Sequence, residues 1–224
     1  MTFFTRRIKR NKLYFTLSLL RKTINMKLKL YLIFTFAILA INLIGQDFHG
    51  GVLGGLAASE ISGDRLQGPN KAGLYLGAFV NRYFSQKSSV QMELDYIQKG
   101  SRENPDSSNN YNSYLLRLNY VEMPVHYRYD FVEKGSLETG LSLGVLVHSL
   151  EQVNGYDWVA GADFDRVDLS FNIGLFYTLI ENLRINVRYS NSILPVRPHA
   201  GGATWKANKG QYNEVLSFVL YYEL

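Results

Sequence analysis

Apolar and polar residues alternate strictly along most of the chain after residue 46. The clearest segment is 183–190, whose odd positions are Leu, Ile, Val and Tyr and whose even positions are Arg, Asn, Arg and Ser. Successive side chains of a β-strand point to opposite faces, so this pattern places all the apolar residues on one face. The segment is therefore predicted to be a strand that separates two different environments.

Eight segments of this kind are separated by clusters of Gly, Asn, Asp, Ser and Pro. They cover residues 48–59, 73–84, 89–99, 114–130, 136–152, 167–180, 183–194 and 213–224. Short connections (85–88, 131–135, 181–182) alternate with long ones (60–72, 100–113, 153–166, 195–212). Antiparallel up-and-down strands with short turns at one end and long loops at the other are typical of transmembrane barrels. The prediction is an all-β, eight-stranded antiparallel up-and-down transmembrane β-barrel, with both chain ends on the short-turn side.

The apolar face is predicted to point outward, towards lipid. It carries more bulky residues than the interior of an eight-stranded barrel can hold. Aromatic residues also gather where two interfacial belts are expected. Those at the short-turn ends are Tyr83, Phe84, Tyr127, Tyr129, Phe131, Tyr177, Tyr221 and Tyr222, and those at the loop ends are Tyr96, Tyr114, Phe164, Tyr189 and Tyr212. The fourth strand changes phase, which predicts a β-bulge near Tyr120–Val121 that keeps its apolar residues on one face.

The positive charge of the chain is confined to its first 45 residues. That segment holds nine of the 24 Lys and Arg and no acid, so residues 46–224 carry 15 basic against 19 acidic residues despite a formal net charge of +5. This distribution argues against nucleic-acid binding. From Met26, two lysines precede an apolar run from Leu30 to Ile44, which is shorter than a spanning helix requires.

These features predict a domain plan of an upstream extension over residues 1–25, a helical signal peptide over 26–45 and a barrel domain over 46–224. An uncleaved anchor helix is the alternative for the apolar run. The sequence holds no cysteine, which excludes disulfides and a lipid-anchored N-terminal cysteine.

The polar face of the strands carries charges that would point into a narrow lumen. The predicted luminal set is Glu93, Asp95, Arg117, Glu122, Arg128, Glu138, Arg184 and Arg188. Because an isolated buried charge is very costly, these side chains are expected to pair as a structural plug. A gated ion path is the alternative.

No catalytic, cofactor or metal site is predicted. The best candidate for an enzyme is His148 beside Ser149 near the outer end of the fifth strand, with Asp157 or Asp163 in the following loop, and only proximity supports it. Asp163, Asp165 and Asp168 are interpreted as solvated acids rather than as a calcium site.

Several short motifs resemble the PorT-like outer-membrane β-barrel family of Gram-negative bacteria, over roughly residues 48–224. They are Gly-Gly-Val-Leu-Gly-Gly at 50–55, Ala-Gly-Leu at 72–74, Glu-Leu-Asp-Tyr at 93–96, Lys-Gly-Ser at 99–101, Tyr-Val-Glu-Met-Pro at 120–124 and Tyr127. The resemblance implies an eight-stranded outer-membrane barrel without assigned activity. The member that names the family is tied to protein secretion.

The expected function is therefore that of a monomeric outer-membrane protein with a structural or interaction role in the cell envelope, and not an enzyme. Its expected partners are outer-membrane lipid and, through the long loops, envelope or secretion-complex proteins, with no nucleic acid and no cofactor. The segments 109–112 and 156–158 offer exposed aromatic and amide groups for such contacts. The alternative function is an accessory component of a secretion system; a small pore and an outer-membrane enzyme are further alternatives.

Overall fold

The computed structural model describes residues 48–64, 66, 68–158, 163–199 and 210–224. The expected upstream extension and signal peptide lie outside these residues. None of the described residues belongs to a helix long and apolar enough to cross a membrane.

The described residues form a closed antiparallel barrel of eight long strands, and this confirms the predicted fold. The strands are β1 (Phe48–Ser62), β2 (Lys71–Tyr83), β3 (Ser88–Glu103), β4 (Tyr114–Val132), β5 (Gly135–Val153), β7 (Val167–Ile180), β8 (Leu183–Ser192) and β9 (Tyr212–Glu223). A two-residue strand, β6 (Tyr156–Asp157), pairs antiparallel with Gln152 and Val153 at the end of β5. Each barrel strand pairs with its neighbour along the chain, and β1 also pairs with β9, so the sheet has no free edge among its long strands.

The connections differ in length at the two ends of the barrel. Residues 84–87, 133–134 and 181–182 make the short turns at one end, called here the short-turn end. The segments between the other strands are longer and meet at the opposite end, called here the loop end. Strand β1 begins and β9 finishes at the short-turn end, as the even number of strands requires.

The outward face of the strands is apolar. Leu94, Met92 and Leu175 are all more than half exposed, which is the arrangement of a barrel that faces lipid. Exposed aromatic side chains ring the short-turn end, as predicted, at Tyr83, Phe84, Tyr127, Tyr129, Phe131, Tyr177 and Tyr222. Tyr221 and Tyr212 were expected in the two belts but are buried inside, because their strand positions have the luminal phase.

The expected bulge in β4 is not present, since buried and exposed residues alternate without interruption from Leu116 to Tyr129. The irregularity lies in β5 instead. Asn119 pairs with His148 and Tyr120 pairs with Leu146, which leaves Val147 as the extra residue. Leu116, Leu118 and Tyr120 therefore point inward, where they are fully buried. The prediction was wrong because it assumed that every large apolar residue faces lipid.

The pairing of β1 with β9 depends on two glycines. Gly51 and Gly55 face the partner strand so closely that a Cβ atom would overlap the backbone oxygens of Tyr222 and Phe218. A residue without a side chain is required where two backbones approach in this way. Leu224 completes the junction by donating its backbone N–H to the carbonyl of Gly50 at 2.9 Å.

Candidate functional site

The centre of the lumen is organised around Arg188 of β8. Its guanidinium donates to Glu93 of β3 at 2.8 and 2.9 Å and to Glu138 of β5 at 2.7 and 3.1 Å. It also donates to the hydroxyls of Tyr75 and Tyr221, at 2.8 and 2.9 Å. These five side chains come from β2, β3, β5, β8 and β9, all on the inward face, and they meet at one level of the lumen. The set is called here the Arg188 cluster. Every donor nitrogen of the guanidinium is used, as expected of a charge removed from water.

Further polar side chains surround the Arg188 cluster. Tyr75 donates to Asp95 at 2.9 Å, Gln91 donates to Glu93 at 2.5 Å, and Asn186 donates to Glu138 at 2.8 Å. Towards the short-turn end, Arg128 donates to Gln91 at 2.9 Å and lies over the ring of Phe176, 4.4 Å from its centroid. The lumen is thus cross-linked by charge-assisted hydrogen bonds between strands on opposite walls.

His126 of β4 lies against the same two carboxylates. Its Nδ1 atom is 3.6 Å from Glu93 Oε1 and 3.6 Å from Glu138 Oε2, and its Nε2 atom is 3.0 Å from the amide nitrogen of Asn172. One ligand atom from each of His126, Glu93 and Glu138 lies within 4.8 Å of the others, a spacing that could hold a metal ion. The guanidinium of Arg188 already contacts both oxygens, however, so it supplies the positive charge that a cation would otherwise bring.

A second ion-pair group lies nearer the loop end. Lys99 of β3 contacts Glu122 of β4 at 2.5 Å and Asp168 of β7 at 3.0 Å. Asp168 also accepts hydrogen bonds from Ser192 and Asn213, at 2.7 and 2.8 Å. These residues are called here the Lys99 group, and its three charged members are at most 5% exposed.

Apolar side chains fill the remaining space in the lumen. Leu116 and Leu118 of β4 are fully buried near the loop end, together with Ile61, Ile97 and Val215. Towards the short-turn end, the rings of Phe79 and Phe176 pack on the ring of Tyr221, with centroids 5.3 and 4.9 Å apart. Apolar and charged side chains therefore share levels of the lumen, since Phe79 is the register partner of Glu93 and Leu118 that of Lys99.

The structure places seven of the eight predicted luminal residues on the inner face and brings six of them into the two groups or beside them. Glu93, Glu138 and Arg188 meet directly, Asp95 and Arg128 contact their neighbours, and Glu122 joins Lys99. Arg184 faces inward at the short-turn end, where it pairs with Glu223. Arg117 is on the outer face, because β4 has no bulge to change its phase.

Several luminal residues were not in the predicted set. Lys99 has the same phase as Glu93 and Asp95 on β3, and Asp168 has the polar phase of β7, so strict alternation alone would have found both. His126 shares the phase of Glu122 and Arg128 on β4, so the same alternation would have placed it in the lumen. Tyr75 and Tyr221 could not be identified as luminal, because the residue type does not distinguish a tyrosine in the lumen from one in an aromatic belt.

A third ion pair closes the rim at the loop end. Arg197 donates to both carboxylate oxygens of Glu151, at 2.7 and 3.0 Å, and Tyr114 donates to the same carboxylate at 2.6 Å. The guanidinium also lies 4.3 Å from the ring centroid of Phe164. Burial alone would lower the pKa of Arg197, but the hydrogen bonds and charge of Glu151 raise it above its ordinary value.

Two loops at the loop end are tied into one surface. Asp106 accepts hydrogen bonds from the hydroxyl of Ser108 and from the backbone N–H groups of Ser108 and Asn109, and these bonds lower the pKa of its carboxyl. Asn154, in the turn between β5 and β6, accepts from the backbone N–H of Ser113 at 2.8 Å and donates to Asn112 at 3.0 Å.

These loops leave three aromatic side chains in solvent, Tyr111, Tyr156 and Trp158, which are 73%, 80% and 50% exposed. They are called here the aromatic loop surface. Tyr111 has a φ of 58°, a strained conformation for a bulky residue, and it is held by the surrounding hydrogen bonds.

The enzyme candidate residues do not assemble into a catalytic arrangement in the described part of the chain. His148 and Ser149 are exposed at the irregular segment of β5. Asp157 accepts a hydrogen bond from Gln152 at 2.9 Å, and His148 hydrogen-bonds neither Asp157 nor Asp163 among the described residues.

One family model and several solved structures are similar to this chain. The model of the family described as outer membrane protein beta-barrel domain matches residues 44–196. Among solved structures, the attachment invasion locus protein Ail of Yersinia pestis is 14% identical with a TM-score of 0.47, covering 80% of this chain and 99% of Ail. Neisserial surface protein A (NspA) is 13% identical with a TM-score of 0.49, covering 79% of this chain and 97% of NspA. No curated protein gives a significant match.

Proposed function

The chain belongs to the outer membrane protein beta-barrel domain family, and on this premise we propose that it is a monomeric, non-enzymatic envelope protein with a sealed lumen. It acts through contacts made by the aromatic loop surface. The observation that carries the proposal is the Arg188 cluster, which joins five strands across the interior.

The sealed lumen follows from burial. Arg188, Glu93 and Glu138 are at most 2% exposed, so bulk water does not reach the central level of the barrel. Both carboxylates and both tyrosine hydroxyls of this level are held by the same guanidinium. Opening a path for ions would break several charge-assisted hydrogen bonds at once, which costs far more than thermal energy.

The loops support the proposed contact role. Exposed aromatic side chains on a hydrogen-bonded frame give large contact area at little cost in conformational entropy. Tyr111, Tyr156 and Trp158 are presented in this way, at the end of the barrel opposite both of its termini. Envelope proteins and glycans are partners of suitable chemistry, since both offer groups that stack on aromatic rings.

A planar-bilayer recording tests the seal. The reconstituted barrel is expected to give no sustained current steps at any voltage that the bilayer withstands. Heat-modifiable gel mobility measured on the same sample shows that the barrel is folded. Sustained large conductance from folded protein would refute the sealed lumen and favour a pore.

Site-specific photocrosslinking in intact cells tests the contact role. A photoreactive residue at Tyr111 or Tyr156 is expected to give discrete protein or glycan adducts, while the same residue at the similarly exposed Phe131 of the short-turn end gives none. If adducts form only from Phe131 and contain secretion-system components, the accessory secretion role is the correct one. If no adduct forms from either loop position, the aromatic loop surface is not an interaction site.

A further inference from the structure

A cavity of about 310 Å³ lies on the outer wall of the barrel, just below the aromatic loop surface. Its walls come from the loop ends of β2 to β5 and from the loops above them, including Pro105 and Gly155. Leu115 and Gln152 are register partners and lie on the outward phase of β4 and β5. The cavity therefore reaches the outer face on this side, while Tyr114 and the 3% exposed Lys71, which have the inward phase of β4 and β2, line its other side.

Three cations line this cavity. Arg102 of β3 is opposite Leu115, and Arg117 of β4 is opposite Gly100, so the two arginines are diagonal neighbours on the outer face. Diagonal neighbours in a sheet lie about 7–8 Å apart, which is close enough for both to reach one ligand. The ammonium of Lys71 donates to the carbonyl of Gln98 at 3.4 Å and is near enough to Arg117 for their charges to repel.

These positive charges are not neutralised by the described acids. Among the described residues, no carboxylate oxygen lies within 4.0 Å of a side-chain nitrogen of Arg102, Arg117 or Lys71. Glu103 also lines the cavity but is outside that distance. Like charges held together in a partly enclosed space favour an anionic ligand.

The height of the cavity on the barrel indicates where that anion comes from. The continuous outward apolar face of β3 and β4 extends to the register partners Tyr96 and Val121, and beyond it Leu115 alone is apolar on the outward phase of β4. Arg117 is four residues further towards the loop end. At about 3.4 Å per residue and a strand tilt of about 40°, it stands roughly 10 Å above the last apolar level. This is the height of lipid headgroups.

The outer wall carries acids elsewhere near the loop end. There the outward positions are Glu60 of β1 and Glu214 of β9, which are register partners. The outer wall near the loop end is thus basic on the side of β3 and β4 and acidic on the side of β1 and β9. A generic surface for anionic lipid would be basic all round, so the asymmetry indicates a site for one ligand.

We infer that Arg102, Arg117 and Lys71 bind the phosphate of a lipid headgroup in the outer leaflet of the membrane. The guanidinium forks of the arginines hydrogen-bond phosphate oxygens in pairs, and the lysine adds a point charge. Ala72 and Leu115 give the cavity an apolar wall against which the rest of the headgroup packs. The acyl chains then follow the apolar outer face of β3 and β4.

Lipid binding to the protein in phosphatidylcholine nanodiscs tests the site. The probes are lipid A, which carries phosphates on a sugar, its dephosphorylated form, and inorganic phosphate. Native mass spectrometry is expected to show lipid A retained by wild type. Affinity should fall about 30-fold in the double variant Arg102→Gln/Arg117→Gln, since two basic contacts are lost. Dephosphorylated lipid A should lose affinity to a similar extent.

Arg82→Gln is the matched control, because Arg82 is exposed near the short-turn end and no described acid pairs with it. It should bind lipid A as wild type does. Heat-modifiable mobility is expected to be unchanged in all variants, since these side chains lie outside the packed lumen. Retention of lipid A by the double variant would overturn the site. Inorganic phosphate that binds as tightly as lipid A would show a site for soluble anions instead.

Discussion

The barrel contains the same chemical arrangement twice, in two different settings. At its centre, Arg188 is held by Glu93 and Glu138 with the hydroxyls of two tyrosines, and all these groups are out of reach of water. At the loop end, Arg197 is held by Glu151, which also accepts from Tyr114, and both partners remain about a tenth exposed. The number of carboxylates differs as well, with two for Arg188 and one for Arg197.

The comparison shows what burial does to an ion pair. The rim pair can exchange its partner for water at small cost, and dissolved salt screens it. The central charges cannot exchange their partners for water, because water does not reach them. Removal of one charge therefore leaves its partners buried and unsolvated. Arg188 therefore determines the interior of the barrel, while Arg197 fixes the position of a loop.

The largest expected effect comes from Arg188→Met. This variant leaves two buried carboxylates without a cation, and the free energy of unfolding is expected to fall by about 4 kcal/mol. Urea titration of the protein in lipid vesicles measures the change. Adding Glu93→Gln and Glu138→Gln to the same variant should restore part of the loss, because the uncompensated charges are then gone. A fall of less than 1 kcal/mol in the single variant would show that water reaches the lumen.

A smaller effect is expected from Lys99→Met in the Lys99 group. Glu122 loses its cation, but Asp168 keeps the donors Ser192 and Asn213. The free energy of unfolding should therefore fall by about 2–3 kcal/mol. Lys134→Met, at an exposed turn, is the control and should change it by about 0.5 kcal/mol or less. Equal losses in the two variants would contradict the distinction between buried and exposed cations.

Arg197→Gln is expected to cost about 1 kcal/mol or less. This loss should shrink further when the salt concentration is raised, because the rim pair is partly solvated. The same salt series should leave the effect of Arg188→Met unchanged. Unfolding curves at low and high salt measure the effect of each variant on the free energy of unfolding. If the effect of Arg197→Gln did not depend on salt, the rim pair would be shielded from solvent as the central pair is.

The smallest effect concerns Asp64, a loop carboxyl near Arg197. Burial raises its pKa, against hydrogen bonds from Ser101 and Leu66 that lower it. A raised pKa means that the folded state holds its proton to higher pH than the unfolded state, so stability falls as pH rises through that interval above 3.8. Asp64→Asn is expected to remove this fall. The slope of unfolding free energy as the pH rises above 3.8 measures it, and an unchanged slope would mean that Asp64 is not its source.

Alternation of apolar and polar residues was sufficient to predict the barrel. The period of two is a local property of each strand, so the eight strands, their order and the outward apolar face could be obtained without knowledge of contacts. The luminal cluster could be predicted only as a set of charges with one phase. Which acid meets Arg188 depends on the stagger between strands, and the stagger is set by loops and by the irregularity in β5.

Two errors have the same physical origin. Leu116, Leu118 and Tyr120 were assigned to lipid, and Tyr221 to an aromatic belt, because the lumen was assumed to hold only small and charged side chains. A narrow lumen also needs apolar residues to fill the space around its polar groups. Those residues are of the same types as the ones that face lipid, so the sequence alone does not separate them. Arg117 was assigned to the lumen as a consequence, and its position on the outer wall became clear only from the unbroken phase of β4.

The junction of β1 with β9 has a consequence for the order of assembly. It joins the first strand to the last, and at Gly51 and Gly55 it tolerates no side chain. Neither strand can complete its hydrogen bonds until the final residues of the chain have arrived, and contacts so distant in sequence form slowly. During that interval both strands are open edges that can pair with another chain. The speed of this last closure, more than the strength of the finished lumen, sets how long the protein is exposed to aggregation.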